Sequence, residues 1–390
     1  MDTGEWRRTW RRLVGNNRFD SREWAGAFGD LGTLIPFVVA YVTLLGMDPV
    51  GILIGFGIAL VANGLLRRTP FPVQPMKAIG AAATAQAAGG VIFTPGAVYA
   101  AGFVTGLVWL LLALTGIAER LARLTPRPVV AGIVLGLGLG FMGRGIELML
   151  DTWWLALAAL AASLPLLDSR RLPAMFALLL IGGIAALLLE PGLMGQLLAL
   201  RPGLHLPSPE LGSITLDDLA VGALFLALPQ LPLTLGNALI AVTDENNRLF
   251  PDRPVRHRGV ALSTAAMNLA APLVGGVPMC HGAGGMAGHV RFGAHTGGAP
   301  IILGSLLLLL ALFLGDAVVS FMAAFPAAVL GVILFLAGTQ LALGAGRLGE
   351  ERGPRFVALV TTALALWNVG AAFVAGLALH ALIARGVMRP

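Results

Sequence analysis

The feature that most constrains this chain is a succession of apolar runs that leaves little room for anything else. Between arginine-bearing or Pro/Gly-rich breaks lie runs at 26–46, 49–66, 72–88, 95–117, 127–146, 152–167 and 173–190. After a polar interval they resume at 217–243, 257–275, 277–291, 297–315, 317–341, 354–367 and 368–387. About 20 apolar residues carry a helix across the hydrocarbon core. Most runs approach that length, whereas 72–88 and 277–291 are too short or too broken by Pro and Gly to cross alone. Only 12% of the 390 residues are charged and 57% are apolar, against roughly a quarter charged in a soluble domain. A soluble enzyme, a disordered tail and a nucleic-acid reader are excluded. The expected fold class is an all-α polytopic membrane protein in a lipid bilayer, with about fourteen transmembrane segments.

Charge placement tests that count. A formal net charge of +6 would suggest a polyanionic partner in a soluble protein, but here the arginines sit in loops, where they orient a membrane chain. With the amino terminus inside and fourteen crossings, 23 of the 26 basic residues fall on the inner side. Arg144 and Arg201 fall outside, and Lys77 lies within a span. Both termini are therefore expected to be cytoplasmic. Residues 1–24 are Arg-rich, with Trp6 and Trp10 and no apolar segment. They read as a cytoplasmic arm, an amphipathic helix at the interface, and not as a cleavable signal. That favours a bacterial plasma membrane. Cys280 is the sole cysteine, so there is no internal disulfide and no thiolate metal set; no cofactor or metal is expected.

Residues 191–216, with Pro191, Pro202, Pro207 and Pro209, form the longest polar interval and read as an extracytoplasmic linker. It divides a first repeat (26–190) from a second (217–388), each of seven spans, and an odd number inverts the second relative to the first. The halves correspond locally. Gly29-Asp30-Leu31-Gly32-Thr33 matches Pro229-Gln230-Leu231-Pro232-Leu233-Thr234, and Pro72-Val73-Gln74-Pro75 matches Pro278-Met279-Cys280-His281. Pro128 and Pro326 make a third pair, and all three offsets lie near 200 residues. Inverted repeats place a substrate near the midplane, between broken helices in corresponding positions.

The two broken spans carry the chemistry. Pro70, Pro72 and Pro75 forbid helix through residue 74, after which Pro75 suits a first helical turn. A half-helix Met76–Ala88 would start inside the membrane, its free amides and positive dipole end facing a cavity. The tenth span repeats this at Val277-Pro278-Met279-Cys280, followed by His281, Gly282 and Ala283, where glycine admits close approach to the backbone. Two such ends aimed at one point suit an anion. Each dipole end supplies at most about 2 kcal/mol, too little against the cost of drying a dianion. Direct donors at roughly 1.5–3 kcal/mol apiece must add to them. The candidates are Thr33, Gln74, Lys77, Gln230, His281 and the first amides around Pro75, Met76, Gly282 and Ala283.

Lys77 is the only lysine, and an intramembrane charge is functional by default. Asp30 is its natural partner. Either the two form a structural ion pair, or Lys77 contacts the anion while Asp30 carries a coupling proton. His281 divides similarly between a packing residue and a ligand. His289, His295, Arg291 and His257 read as loop or headgroup contacts, and Gly132 to Gly140 as a close helix-packing surface.

At these residues the chain resembles a known family. Phe28-Gly29-Asp30-Leu31-Gly32-Thr33, Pro72 to Ile79, and Cys280 to Gly285 continuing through Arg291-Phe292-Gly293-Ala294 resemble the molybdate-transporter family, a branch related to the SulP sulfate permeases. The resemblance implies a fold of seven plus seven inverted spans shared with SulP and nucleobase transporters. It implies a core (spans within 26–117 and 217–315) moving against a gate (127–190 and 317–387), and uptake of molybdate, with sulfate and tungstate as related oxyanions. Nucleobase carriers of this fold resemble one another in placing glutamates where this chain has Gln230 and His281, which argues for an anion here.

The sequence reading is thus a secondary transporter of a tetrahedral dianion, not an enzyme, working by an elevator-like shift. A coupling proton or cation and a second copy forming a homodimer are the further partners considered, and nucleic acid is excluded. A sulfate or bicarbonate carrier and an anion channel are the alternatives. The adjacency of Cys280 and His281 does not make a nucleophile–base pair, because consecutive helical residues point apart.

Overall fold

A computed structural model describes residues 15–84, 93–117, 126–167, 169, 174–199, 203–345, 351–367, 369–388 and 390. Most of the arginine-rich arm, the end of the third predicted span at 85–88 and Arg120, Arg123, Arg170, Arg171, Arg201, Arg347 and Arg389 lie outside these.

The first half opens with α1 (Ser21–Ala27), capped by the Asp20 carboxylate, which accepts from the Arg22 and Glu23 amides. This helix begins within the stretch expected to be the arm. A 3-10 turn (Phe28–Asp30) bends the path by 49° into α2 (Leu31–Leu45). Next come α3 (Pro49–Arg67), β1 (Gln74–Pro75), α4 (Lys77–Thr84) and α5 (Pro95–Thr115). Asp48 and Thr94 cap α3 and α5, each with proline at the first position, where its missing N–H is harmless. Then follow α6 (Arg127–Leu150), α7 (Trp153–Ser163) and α8 (Ala174–Leu189).

The expected linker is not all irregular, since Pro191–Ala199 forms α9, bent 102° from α8. Its later part is pinned to the second half: the Gly203 and His205 amides donate to the Phe313 and Leu312 carbonyls, and His205 Nε2 lies 3.0 Å from Asp316 Oδ2.

The second half starts with an unbroken helical run, Leu216–Leu249. It alternates α10 (Leu216–Val221), a π segment (Gly222–Ala227), α11 (Leu228–Leu233), a second π segment (Thr234–Ala241) and α12 (Val242–Leu249). Pro229 and Pro232 each remove a backbone donor, and the wide turns on either side let the helix continue without a break. After α13 (His257–Ala270) come β2 (Met279–Cys280) and α14 (Ala283–Arg291). The expected boundary near 316 between the eleventh and twelfth runs falls at a kink, where the backbone of Leu314 is non-helical and two helical segments join. Together these segments make α15 (Gly298–Ala323), and α16 (Ala327–Leu343) follows. The chain finishes with α17 (Arg352–Ala365) and α18 (Val369–Ala384).

Among the described residues, five helices are long and apolar enough to cross a membrane, up to seven if each bent pair counts once, with three shorter apolar helices beside them. The protein is an integral membrane protein. Its helices pack in two sets. α3 lies against α15 and α5 against α13, while α16 and α17 lie against α6. Small residues set the second contact: a Cβ on Gly138 would sit 2.7 Å from the Gly338 carbonyl oxygen, and one on Gly145 2.6 Å from that of Gly331. Gly132, Gly136 and Gly138 are close-packed as the glycine run predicts, whereas Gly140 faces open space. Pro126, and not Pro128, corresponds to Pro326. Each caps its helix with extended backbone, and each carbonyl accepts from the amides three and four residues on.

Candidate functional site

β1 and β2 are the two interrupted spans meeting. They pair antiparallel, Gln74 opposite Cys280 and Pro75 opposite Met279, and the Met76 amide donates to the Pro278 carbonyl (2.9 Å). Prolines keep both stretches extended. Extended backbone inside a membrane must find partners, and each stretch supplies the other's. Asn268 completes β2's share from the facing helix: it accepts from the Met279 amide (2.9 Å) and donates to the Met279 carbonyl (2.6 Å). The half-helices α4 and α14 therefore start next to one another.

Their starts differ. On α4 the Ala78 and Ile79 amides donate to Gln230 Oε1 at 2.8 and 3.3 Å, and Gln230 Nε2 donates to Thr234 Oγ1 at 2.8 Å. Gln230, expected to contact the anion, is instead a buried cap with both ends of its amide engaged. The α4 amides expected to face a ligand are accordingly taken, apart from that of Lys77. Gly282 leads into α14 in extended conformation without a side-chain cap, and Gly284 is exposed with open space on its Cα side. The Ala283 and Gly284 amides find no partner among the described residues.

Lys77 is half-buried at the first position of α4, and among the described residues nothing hydrogen-bonds or ion-pairs with its ammonium. The expected Asp30–Lys77 ion pair is absent. Asp30 accepts instead from Gln74 Nε2 at 2.6 Å, and the same nitrogen reaches Thr33 Oγ1 at 3.3 Å. Both Gln74 donors are thereby used, while its Oε1 is buried with no partner among the described residues. Gly285 lies hard against this pair: a Cβ there would meet Gln74 Nε2 and come within 2.6 Å of Asp30 Oδ2.

His281 does not face the opening. Its Nδ1 lies 2.7 Å from the Pro72 carbonyl oxygen, its Nε2 2.8 Å from Ser263 Oγ, and its ring packs edge-on to Phe71. With both nitrogens engaged it has no donor left for an anion. His289, expected among headgroups, is buried with Nδ1 2.8 Å from the Gly26 carbonyl. Sequence reasoning missed three polar residues that hold this region: Asn268, Ser263 and the buried Glu23. The Glu23 carboxylate accepts from the His295, Thr296 and Ala299 amides and ties α1 to α15. For Asn268 and Ser263 the available signal was a polar residue inside an apolar run; Glu23, in the charged stretch before the first run, gave none.

What stays uncommitted among the described residues is the Lys77 ammonium and the uncapped Ala283 and Gly284 amides at the start of α14, with the Thr33 hydroxyl beside Gln74. Donors of that kind suit an anion chemically. Among the described residues no cluster of His, Cys, Asp or Glu could hold a metal.

Comparisons with known proteins agree in fold and family. Solved structures similar to this one include the transmembrane domain of a cyanobacterium bicarbonate transporter, BicA (TM-score 0.66, 16% identity, 92% of this chain and 96% of that one). Murine Slc26a9, an anion transporter in the inward-facing state, aligns with TM-score 0.71 at 11% identity over 98% of this chain and 71% of that one. Among curated proteins, Molybdate transporter 2 of Arabidopsis thaliana is 33% identical over 96% of this chain and 89% of its own length. Molybdate transporter 1 of Chlamydomonas reinhardtii is 30% identical over 95% and 92%. The sequence model described as "Molybdate transporter of MFS superfamily" matches residues 22–141 and again 222–341. With that coverage and those relatives, the chain belongs to the molybdate transporter family.

Proposed function

We propose that this protein is a secondary active transporter that carries molybdate across a membrane, with sulfate and tungstate as related cargo. The observation that carries this reading is the unpaired Lys77 ammonium at the start of α4. A cation is disfavoured at a helix amino terminus, and here it stands beside a second half-helix whose first amides are open. A dianion between them relieves both. Family membership and the anion-transporter neighbours support the same cargo class.

The inverted architecture of seven plus seven spans is part of the proposal. It is supported by one family model matching two stretches 200 residues apart and by the corresponding Pro126 and Pro326 caps. The two packing sets correspond to a core and a gate, and movement of the first against the second would carry the anion in an elevator-like shift. Both termini on the cytoplasmic face complete the reading.

Asp30 supplies the coupling. With Asp30 ionised, Gln74 must point its NH2 at the carboxylate, as observed. Once Asp30 is protonated it can donate to Gln74 Oε1, and the amide turns to free its NH2 for the anion. One proton thereby converts Gln74 from an Asp30 ligand into an anion ligand. Labelled molybdate uptake into proteoliposomes, with and without an inward proton gradient, tests both parts. Absence of saturable uptake overturns the transport reading, and uptake indifferent to the gradient, or retaining its pH dependence in Asp30→Asn, overturns the coupling. Competition by excess sulfate or bicarbonate reads out selectivity, and conductance without saturation would mark a channel.

A further inference from the structure

Away from the starts of the half-helices, a cavity of about 510 Å³ opens where α3 ends and α13 begins. Asn63, Arg67, Arg253, Gly259, Leu262 and Ser263 line it. Two arginines in the lining of one cavity are a concentration of charge in a chain with only 12% charged residues. Arg67 Nε donates to Asn63 Oδ1 (3.2 Å) and its Nη2 to the Gly259 carbonyl (3.1 Å), and Arg253 Nη1 donates to the Arg68 carbonyl. A guanidinium carries five N–H donors, so most of both sets is uncommitted. Among the described residues neither arginine has a carboxylate within 4 Å. Arg67 is held in place from behind as well, its charge lying 4.2 Å over the Phe71 ring.

We propose that this cavity is a second oxyanion site, distinct from the one between the half-helices, that takes a tetrahedral phosphate-type group. The group would be free inorganic phosphate or the headgroup phosphate of an anionic lipid. Fixed, planar, multiply donating guanidiniums match such oxygens better than any neutral wall does. The volume leaves room for a hydrated phosphate, since a water occupies about 30 Å³ of liquid. The site also touches the transport machinery. Ser263 in its wall bonds His281, His281 bonds the Pro72 carbonyl, and Phe71 lies between Arg67 and His281. The Ser263 hydroxyl is committed to Asn63 Oδ1 (3.0 Å) and His281, so an anion held by the guanidiniums bears on the entry to the first broken span through Arg67 and Phe71.

The test uses the full chain purified in an uncharged detergent. Inorganic phosphate is titrated by calorimetry and by its shift of thermal unfolding, and phosphatidylglycerol retention is read by native mass spectrometry. Phosphate binding, with retained lipid displaced by it, identifies a free anion as the occupant, and retention of lipid without phosphate binding identifies the headgroup. In either case Arg253→Gln weakens the interaction by roughly tenfold or more. Arg253→Lys falls between Arg253→Gln and wild type. Leu262→Trp, which fills the rim without altering a charge, weakens it similarly and guards against a folding defect in the first variant. Neither ligand binding, or both variants binding as wild type does, overturns the proposal. Two comparisons separate the sites: phosphate or lipid binding that persists in Lys77→Met while molybdate binding falls shows that they are distinct, and absence of molybdate uptake by the wild-type chain while this binding persists fails the transport reading alone.

Discussion

The two interrupted spans share a plan and differ in how it is finished. Each enters extended under the control of its prolines, pairs with the other, and starts a short helix in the interior. In the first half, Gln230 takes the Ala78 and Ile79 amides and a lysine stands at the helix start. In the second half no side chain caps α14, no cation stands there, and Gly284 opens onto space. One half brings the charge and the other brings the backbone donors. A repeated scaffold alone would place two equal dipole ends together. In the proposed reading, it is this difference between the two half-helices that an anion would use.

The largest effect is expected from removing the charge. A charged hydrogen bond to the anion contributes about 1.5–3 kcal/mol, so Lys77→Met should weaken molybdate binding roughly ten- to hundredfold. Because no described residue pairs with Lys77, the melting temperature of the variant should stay close to that of wild type. An unchanged Kd would remove Lys77 from the site. A collapse of stability, rescued by adding Asp30→Asn, would instead reinstate the ion pair that the structure lacks.

The open half is tested by taking away a single amide. Ala283→Pro is well suited, because Gly282 already has the extended backbone that precedes a proline and Ala283 is the first helical residue. The expected loss is about tenfold in binding, the equivalent of one hydrogen bond to a charged group, with little change in thermal stability. Equal binding by wild type and variant would show that α14 contributes no donor at this position. The contrast between the halves would then rest on Lys77 alone.

The broken spans were legible because Pro72, Pro75 and Pro278 cannot sit inside a continuous helix, and the Gly132–Gly138 contact because close-packed helices need small residues. Side-chain commitments were not legible. His281 bonds Pro72 and Ser263, and Gln230 bonds Ala78, across separations that local spacing does not encode. The same distance hides why Asp30 meets Gln74 and not Lys77. Pro229 and Pro232 lie inside the eighth run, where the π turns around them re-register the hydrogen bonds and keep the helix whole, a device that spacing alone does not announce. The interruption at Gly315 and Asp316 was legible, for it adjoins the non-helical Leu314 that kinks α15, whereas the contact of Asp316 with His205 from the linker was not. Periodicity and proline report where backbone hydrogen bonds fail; they do not report where a buried amide will turn.

The smallest effect on binding should come from the capped half. Gln230→Ala strips the acceptor from the Ala78 and Ile79 amides and frees the Thr234 hydroxyl. Burial makes each unmet donor costly, so thermal unfolding should report a loss of about 1–3 kcal/mol. Binding should respond in the opposite proportion. If the cap only holds α4 in place, molybdate Kd should change by no more than about threefold, less than 1 kcal/mol. A larger loss of affinity would mean that the anion reads the position of α4 through its cap. Tighter binding would mean that the amides released by Gln230 become ligands themselves, and the two half-helices would be more alike than their resting geometry makes them.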